Sequence, residues 1–321
     1  MSTYDPKFYA VDGTISKNFF SNQLESNLKD FLDYGFLSAG GWITVKRTKN
    51  NIHGMSQSTL RPIDDPNYND GQVWQAPRKG WVWETGISVD GNSPHTINGF
   101  HVDGAGPYYP NAVGTFAHQV DYQNGRIIFN TKISQHKTVD MDYSYRWVQI
   151  YNYAYAGWFR QLQFNSDSNN THVDNQDKGD YFLDPKNRVQ LPAIVIETVP
   201  RSSSEPYRLG DKSMRFEQDV LLHVVAENYY DRNNIADAIK LQEDRVIKMY
   251  DINTVAKSGV YPYNFNGTLN SGVIQYNNLV NNDDYFFNSC RLKNIVVSDV
   301  ESITSELYEC TIRITAEIII V

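Results

Sequence analysis

Phe216-Glu-Gln-Asp-Val220-Leu-Leu-His-Val-Val-Ala226 decides how the second half of the chain is read. Val220, Leu221, Leu222, Val224 and Val225 make its centre almost continuously apolar, the pattern of a strand covered on both faces. Working outward, Leu191 to Val199 reads as a preceding strand, and Pro200 to Ser213 as a turn-rich loop between the two. Beyond the central strand, Asp231 is a plausible N-cap for a helix from Arg232 to Tyr250, with Ile235, Ile239, Val246 and Met249 along one side. Arg291 to Ser298 and Leu307 to Val321 read as a closing hairpin. In its second strand Cys310, Ile312, Ile314, Ala316 and Ile318 alternate with Thr311, Arg313, Thr315 and Glu317. The order β-β-α-loop-β-β predicts an α+β layer, one helix on an antiparallel sheet.

The first half follows another period. Leu24, Leu28, Phe31 and Leu32 share one helical face within Phe19 to Gly35. Ser16 or Ser21 can cap that helix, and Gly35 or Gly40-Gly41 can end it. From Trp42 to about Tyr153 the period is two: Val139, Met141, Tyr143 and Tyr145 alternate with Asp140, Asp142, Ser144 and Arg146, a strand with one wet face. Trp81 and Trp83 sit two apart, and Asn124-Gly125 between apolar runs predicts a type I′ hairpin. This half is expected to be a mainly antiparallel β domain with an N-terminal helix. Asn165 to Gly179 is polar throughout and is the linker candidate; its Asp and Asn spacing lacks the Gly and Glu of a calcium loop. The expected organisation is therefore residues 1–165, a polar linker or long loop at 166–188, and an α+β domain at 189–321. A length of 321 residues agrees with two domains.

Composition narrows the function classes. The net charge of −8 argues against a strongly basic nucleic-acid binder. Two cysteines, Cys290 and Cys310, exclude a disulfide scaffold or a Cys-rich zinc module, and cytosolic synthesis with reduced thiols is expected. No leader-like segment opens the chain, and no apolar run approaches the ~18 residues of a membrane helix. The Asn-x-Thr sequons at Asn169 and Asn266 are read as chance in an Asn-rich chain. The 22 Tyr and the Asn excess give a polar aromatic character.

The motifs of catalysis are missing. Gly104-Ala-Gly106-Pro107 stops short of GxGxxG, and GxxxxGK[ST], HExxH and GxSxG do not occur. His95, His101 and Asp103 could in principle meet as a metal site but read as loop residues. His223, inside the apolar strand, reads as a satisfied core or interface histidine. Aromatics beside Asp140 and Asp142 have a glycan-site flavour, but alternation sends carboxylates and rings to opposite faces. No enzyme activity, cofactor or metal is expected.

Glu205-Pro-Tyr207-Arg-Leu209-Gly210, then Asp219-Val220-Leu-Leu-His223-Val-Val-Ala226-Glu227-Asn228, then Asp231-Arg232, resembles the core of tailed-bacteriophage tail-terminator and head–tail joining proteins. The matched stretch covers about 35 residues. Hairpins such as Val120-Asp-Tyr-Gln-Asn124-Gly125-Arg-Ile-Ile-Phe129 also look like those of phage structural proteins. The resemblance implies a non-enzymatic virion protein of the neck, made in the host cytoplasm. It implies a hexameric or dodecameric ring that contacts tail tube or sheath proteins and head connector proteins. DNA would pass through the lumen without sequence-specific binding, and no membrane is involved. The large first half departs from small one-domain terminators, so terminator, adaptor, collar and baseplate stay open. A glycan-binding or glycan-cleaving protein is the alternative of another class. The residues expected at subunit or partner interfaces are Arg201, Tyr207, Arg208, Leu209, Lys212, Phe216, Val220, Leu222, Val224, Tyr229 and Tyr230.

Overall fold

The computed structural model describes residues 20–47, 51–52, 55–110, 114–159, 189–207, 213–264, 266–304 and 307–320. It is a mixed α/β architecture with mainly antiparallel strands and an N-terminal helix. The polar stretch 165–179 lies outside the described residues.

Helix α1 (Phe20–Ser38) forms where Leu24, Leu28, Phe31 and Leu32 line up. Ser21 lies inside it rather than capping it. It passes through Gly35 and ends at Gly40-Gly41: Gly40 takes φ 92°, and the Gly41 amide donates to Phe36 O at 2.8 Å. Strand β1 (Trp42–Val45) follows. Next come β2 (Asn51–Ile52) and β3 (Met55–Ser56), which pair as a small ribbon. Then come β4 (Thr59–Pro62), β5 (Val73–Gln75), β6 (Phe100–Val102), β7 (Ala105–Tyr108), β8 (His118–Asp121), β9 (Arg126–Phe129) and β10 (Val139–Met141). These build a seven-stranded antiparallel sheet of order β7-β6-β10-β4-β5-β9-β8. Its core gathers Trp74, Trp81, Phe100, Ile127, Phe129 and Tyr143.

Two local expectations are corrected here. Register pairs Asp121 with Arg126, so the β8–β9 connection is four residues long, not the two of a type I′ turn. Only Gly125 has positive φ (67°), and the Asp121 carboxylate instead ties the turn by accepting from Asn124 N and Nδ2 at 2.9 and 2.8 Å. The Val139–Arg146 stretch divides at Asp142: β11 (Tyr143–Arg146) leaves the seven-stranded sheet to pair with β1. Its supposed wet face is wet only at Asp140 and Asp142. Ser144 and Arg146 are buried, Ser144 bonding Thr44 Oγ1 and the His95 amide.

The second sheet has six strands: β12 (Gln149–Asn152), β13 (Ala193–Pro206), β14 (Met214–Ala226), β15 (Val246–Tyr250), β16 (Phe286–Thr304) and β17 (Leu307–Ile320). Their order is β12-β13-β14-β17-β16-β15, antiparallel except for β12 beside β13. Alternation along β17 works as read: Cys310, Ile312, Ile314, Ala316 and Ile318 are buried on one face. Helix α2 (Tyr229–Lys240) covers β14 and β17 there, while α1 reaches β12, β13 and β15. Both helices share one core with this sheet.

The N-terminal helix thus packs mainly on the C-terminal sheet, while its last turns, through Leu37 and Tyr34, meet Val82 and Ile87 of the first half. Its polar face explains the choice. Asn27 donates to Tyr250 O at 3.0 Å and accepts from Tyr250 N at 2.8 Å. Gln23 does the same one step on, with Asp251 Oδ1 and Ile252 N at 3.1 Å. Asn27 therefore satisfies the backbone of β15 at Tyr250, and Gln23 holds the turn that follows it, through the Asp251 carboxylate and the Ile252 amide.

The helix expected over 232–250 is shorter and starts earlier. Asn228, not Asp231, caps α2: its side chain accepts from Asp231 N at 2.8 Å. The helix stops at Lys240, Asp244 turns the chain at φ 64°, and Val246–Tyr250 becomes strand β15. Helices α3 (Ile252–Ser258) and α4 (Tyr276–Leu279) complete the described fold. Strand β13 likewise runs to Pro206 through a bulge between Thr198 and Ser202, well into the expected loop.

Candidate functional surfaces

Strands β14 and β17 pair along their whole length, from Met214 opposite Ile320 to Ala226 opposite Tyr308. The β13–β14 hairpin therefore turns at one end of the sheet and the β16–β17 hairpin at the other. Both hairpins outrun their flanking strands. β12 leaves β13 at Ile196, and β15 leaves β16 at Arg291. From Glu197 to Pro206, β13 has no second strand partner among the described residues. Its residues 202–206 are exposed, as are Val296 and Val297 on β16. Open strand edges are templates for pairing with another chain.

The sheet face away from the helices is charged at the β13–β14 hairpin end. Arg215 lies between Glu205, which it contacts directly, and Glu217 and Glu317, each at 3.9 Å. Lys293 Nζ donates to Glu217 Oε1 at 2.5 Å and Glu317 Oε2 at 2.7 Å. Further along the same face, His223 is buried between two carboxylates, Nε2 3.0 Å from Glu197 Oε2 and Nδ1 3.3 Å from Glu309 Oε1. The Phe159 ring covers it at 4.8 Å. Burial pushes the imidazole pKa down, but the two carboxylate hydrogen bonds outweigh burial and raise it.

The residues expected at interfaces separate into three groups. Tyr207, Tyr229 and Tyr230 are exposed, and the last two stack at 4.1 Å at the start of α2, with Tyr308 6.3 Å from Tyr229. Val220, Leu222 and Val224 are fully buried under α1 and α2, so they serve the chain's own core rather than an interface. Alternation sends them to the helix face, which two helices cover instead of the one expected. Phe216 is half-buried, 6.1 Å from Phe20. Arg201 lies in β13, while Arg208, Leu209 and Lys212 lie outside the described residues.

A cleft of about 960 Å³ was not foreseen. α1, the Lys79–Glu84 segment, β12 and the segments around Tyr261 and Tyr276 line it. Arg146 anchors its floor. Nε donates to Asp33 Oδ1 and Oδ2 at 2.8 and 2.9 Å, Nη1 to Trp81 O at 2.9 Å, and Nη2 to Glu84. Burial works against the charged guanidinium, but Asp33 and Glu84 hold its pKa well above the ordinary value. Nearby, Tyr250 OH donates to Asp30 Oδ2 at 2.6 Å, and burial raises the Asp30 carboxyl despite that bond. Trp83 Nε1 donates to Tyr263 OH at 3.1 Å. Asp33, Glu84 and Arg146 are far apart in sequence, and no local pattern marks Arg146 as the hub.

Among the described residues no group of three or more His, Cys, Asp or Glu side chains is arranged to hold a metal, His95, His101 and Asp103 included. Cys290 and Cys310 are buried free thiols, in register with Ile318 and Asp299 rather than with each other. No protein-family model matches the chain, and no curated protein matches it.

Proposed function

We propose that this chain is a structural component of a tailed-bacteriophage virion neck, assembling as a ring that terminates the tail tube or joins tail to head connector. The resemblance of Glu205–Arg232 to tail-terminator and head–tail joining proteins motivates the reading. The observation that carries it is the helix-backed sheet with a hairpin at each end, each running beyond its flanking strand. Such a subunit offers main-chain edges to neighbours on two sides, as a closed heterologous ring requires. The exposed Tyr207, Tyr229 and Tyr230 supply rigid aromatic area of the kind enriched at protein interfaces. The partners under this reading are further copies of the chain, tail tube or sheath proteins, and connector proteins. The net charge of −8 suits a lumen through which DNA slides without sticking.

Light scattering and electron microscopy test the reading. A hexamer or dodecamer, or rings on tail ends, supports it, and a stable monomer with no affinity for tails refutes it. Particles lacking the chain then separate the stations. Over-long tails without heads mark a terminator, and unjoined heads beside normal tails mark an adaptor. Malformed tail ends with an intact neck would place the chain at the baseplate.

A further inference from the structure

We propose that the cleft over Arg146 binds a neutral oligosaccharide. The inference is independent of the neck reading and rests on three observations. First, the space is about 960 Å³, at the upper end of what ligand pockets occupy, so it has room for a short chain of sugar rings. Second, its formal charges cancel. Lys29, Lys79 and Arg146 face Asp30, Asp33 and Glu84, and the Arg146 guanidinium already has two carboxylates as partners. Its charge is therefore compensated within the chain, which favours a neutral ligand over a phosphate or carboxylate. Third, the walls combine rings with neutral hydroxyls. Tyr34 and Tyr276 lie 5.8 Å apart, and Tyr151, Tyr261 and Tyr276 line the same space with phenols that are neutral at ordinary pH. Aromatic faces match the apolar C–H faces of a sugar, and a phenol both donates and accepts, as a polyol demands.

The test is calorimetric titration of the full chain with cellotriose, maltotriose, chitotriose and mannotriose, and with a galacturonate trisaccharide as the charged comparator. At least one neutral trisaccharide is expected to bind with Kd of about 1 mM or tighter. Tyr155 is 85% exposed at the cleft mouth, so Tyr155→Ala leaves the fold intact and is expected to weaken binding several-fold. Trp158→Phe shortens an aromatic face that lines the cleft, and is expected to weaken binding several-fold. Tyr230→Ala, outside the cleft, is expected to bind as the parent does. The proposal is overturned if no neutral trisaccharide binds at about 10 mM. It is equally overturned if only the galacturonate binds, or if Tyr155→Ala and Trp158→Phe, both folded by circular dichroism, bind as the parent does.

Discussion

Replacing Asn27 by Leu removes the hinge between the N-terminal helix and the sheet edge it closes. Asn27 is fully buried and makes three hydrogen bonds: to Gln23 O at 2.8 Å, to Tyr250 O at 3.0 Å, and from Tyr250 N at 2.8 Å. Leucine keeps the branched four-atom skeleton of asparagine and is the better helix former, so the loss is not one of helix propensity. The change strips partners from the amide and carbonyl of Tyr250, itself 1% exposed. Each buried polar group left unpaired costs about 1–3 kcal/mol, so the pair costs about 2–4 kcal/mol once partial relaxation is allowed. The assay is native-state hydrogen exchange at the Tyr250 amide, with urea unfolding alongside. Loss of 2–4 kcal/mol corresponds to exchange faster by roughly 30- to 700-fold at that site. Exchange within about threefold of the parent would refute the docking of α1 on β15, and with it the packing of the first helix against the second sheet.

Arg146→Met should cost about 3–5 kcal/mol, because Asp33 and Glu84 are left facing each other without their cation. Adding Glu84→Gln should recover part of that loss in the same urea titration. His223 has a folded pKa raised above its unfolded value of about 6.5. Its contribution is therefore fully present below pH 6.5 and is lost as pH rises through the folded pKa. The stability gap between the parent and His223→Gln should narrow on going from about pH 6 to pH 8, and a widening gap would contradict the carboxylate clamp. Burial raises the thiol pKa of Cys290 to about 12 and of Cys310 to about 11. Neither should react with a thiol reagent at pH 8 in the native state, while both should react in denaturant.

Periodicity carried the strands and failed where two periods agree. Along β14 and β17 a covered run and a strict alternation each admit one solution, and the structure has it. From Ile235 to Met249 they do not. Val246 and Met249 stand three apart, which suits a helix, while Ile247 and Met249 stand two apart, which suits a strand. The break at Leu241–Asp244 has no Gly or Pro to announce it; a single Asp with positive φ makes the turn. The face of α1 was plain from Leu24, Leu28, Phe31 and Leu32, but its destination was not. Any apolar sheet could receive those four side chains, and the address is written by Gln23 and Asn27, two amides with no sequence pattern of their own. Arg146 was hidden for a related reason. On a strand with an alternating outer face an arginine looks solvated, and only folding brings Asp33 and Glu84 to it. Tyr229 and Tyr230, expected at an interface, are exposed, but in the first turn of a helix that starts before the Asp231 cap the sequence suggested.

The place of β17 between β14 and β16 makes it the seam of the second sheet. Without it, β12–β14 and β15–β16 are two separate part-sheets with a strand-wide gap between them. The inner edges of β14 and β16 would then both be left unpaired. The seat of α1 depends on it as well, because β15 joins the rest of the sheet only through β16 and β17. Loss of this one strand would split the sheet down its middle rather than trim its margin.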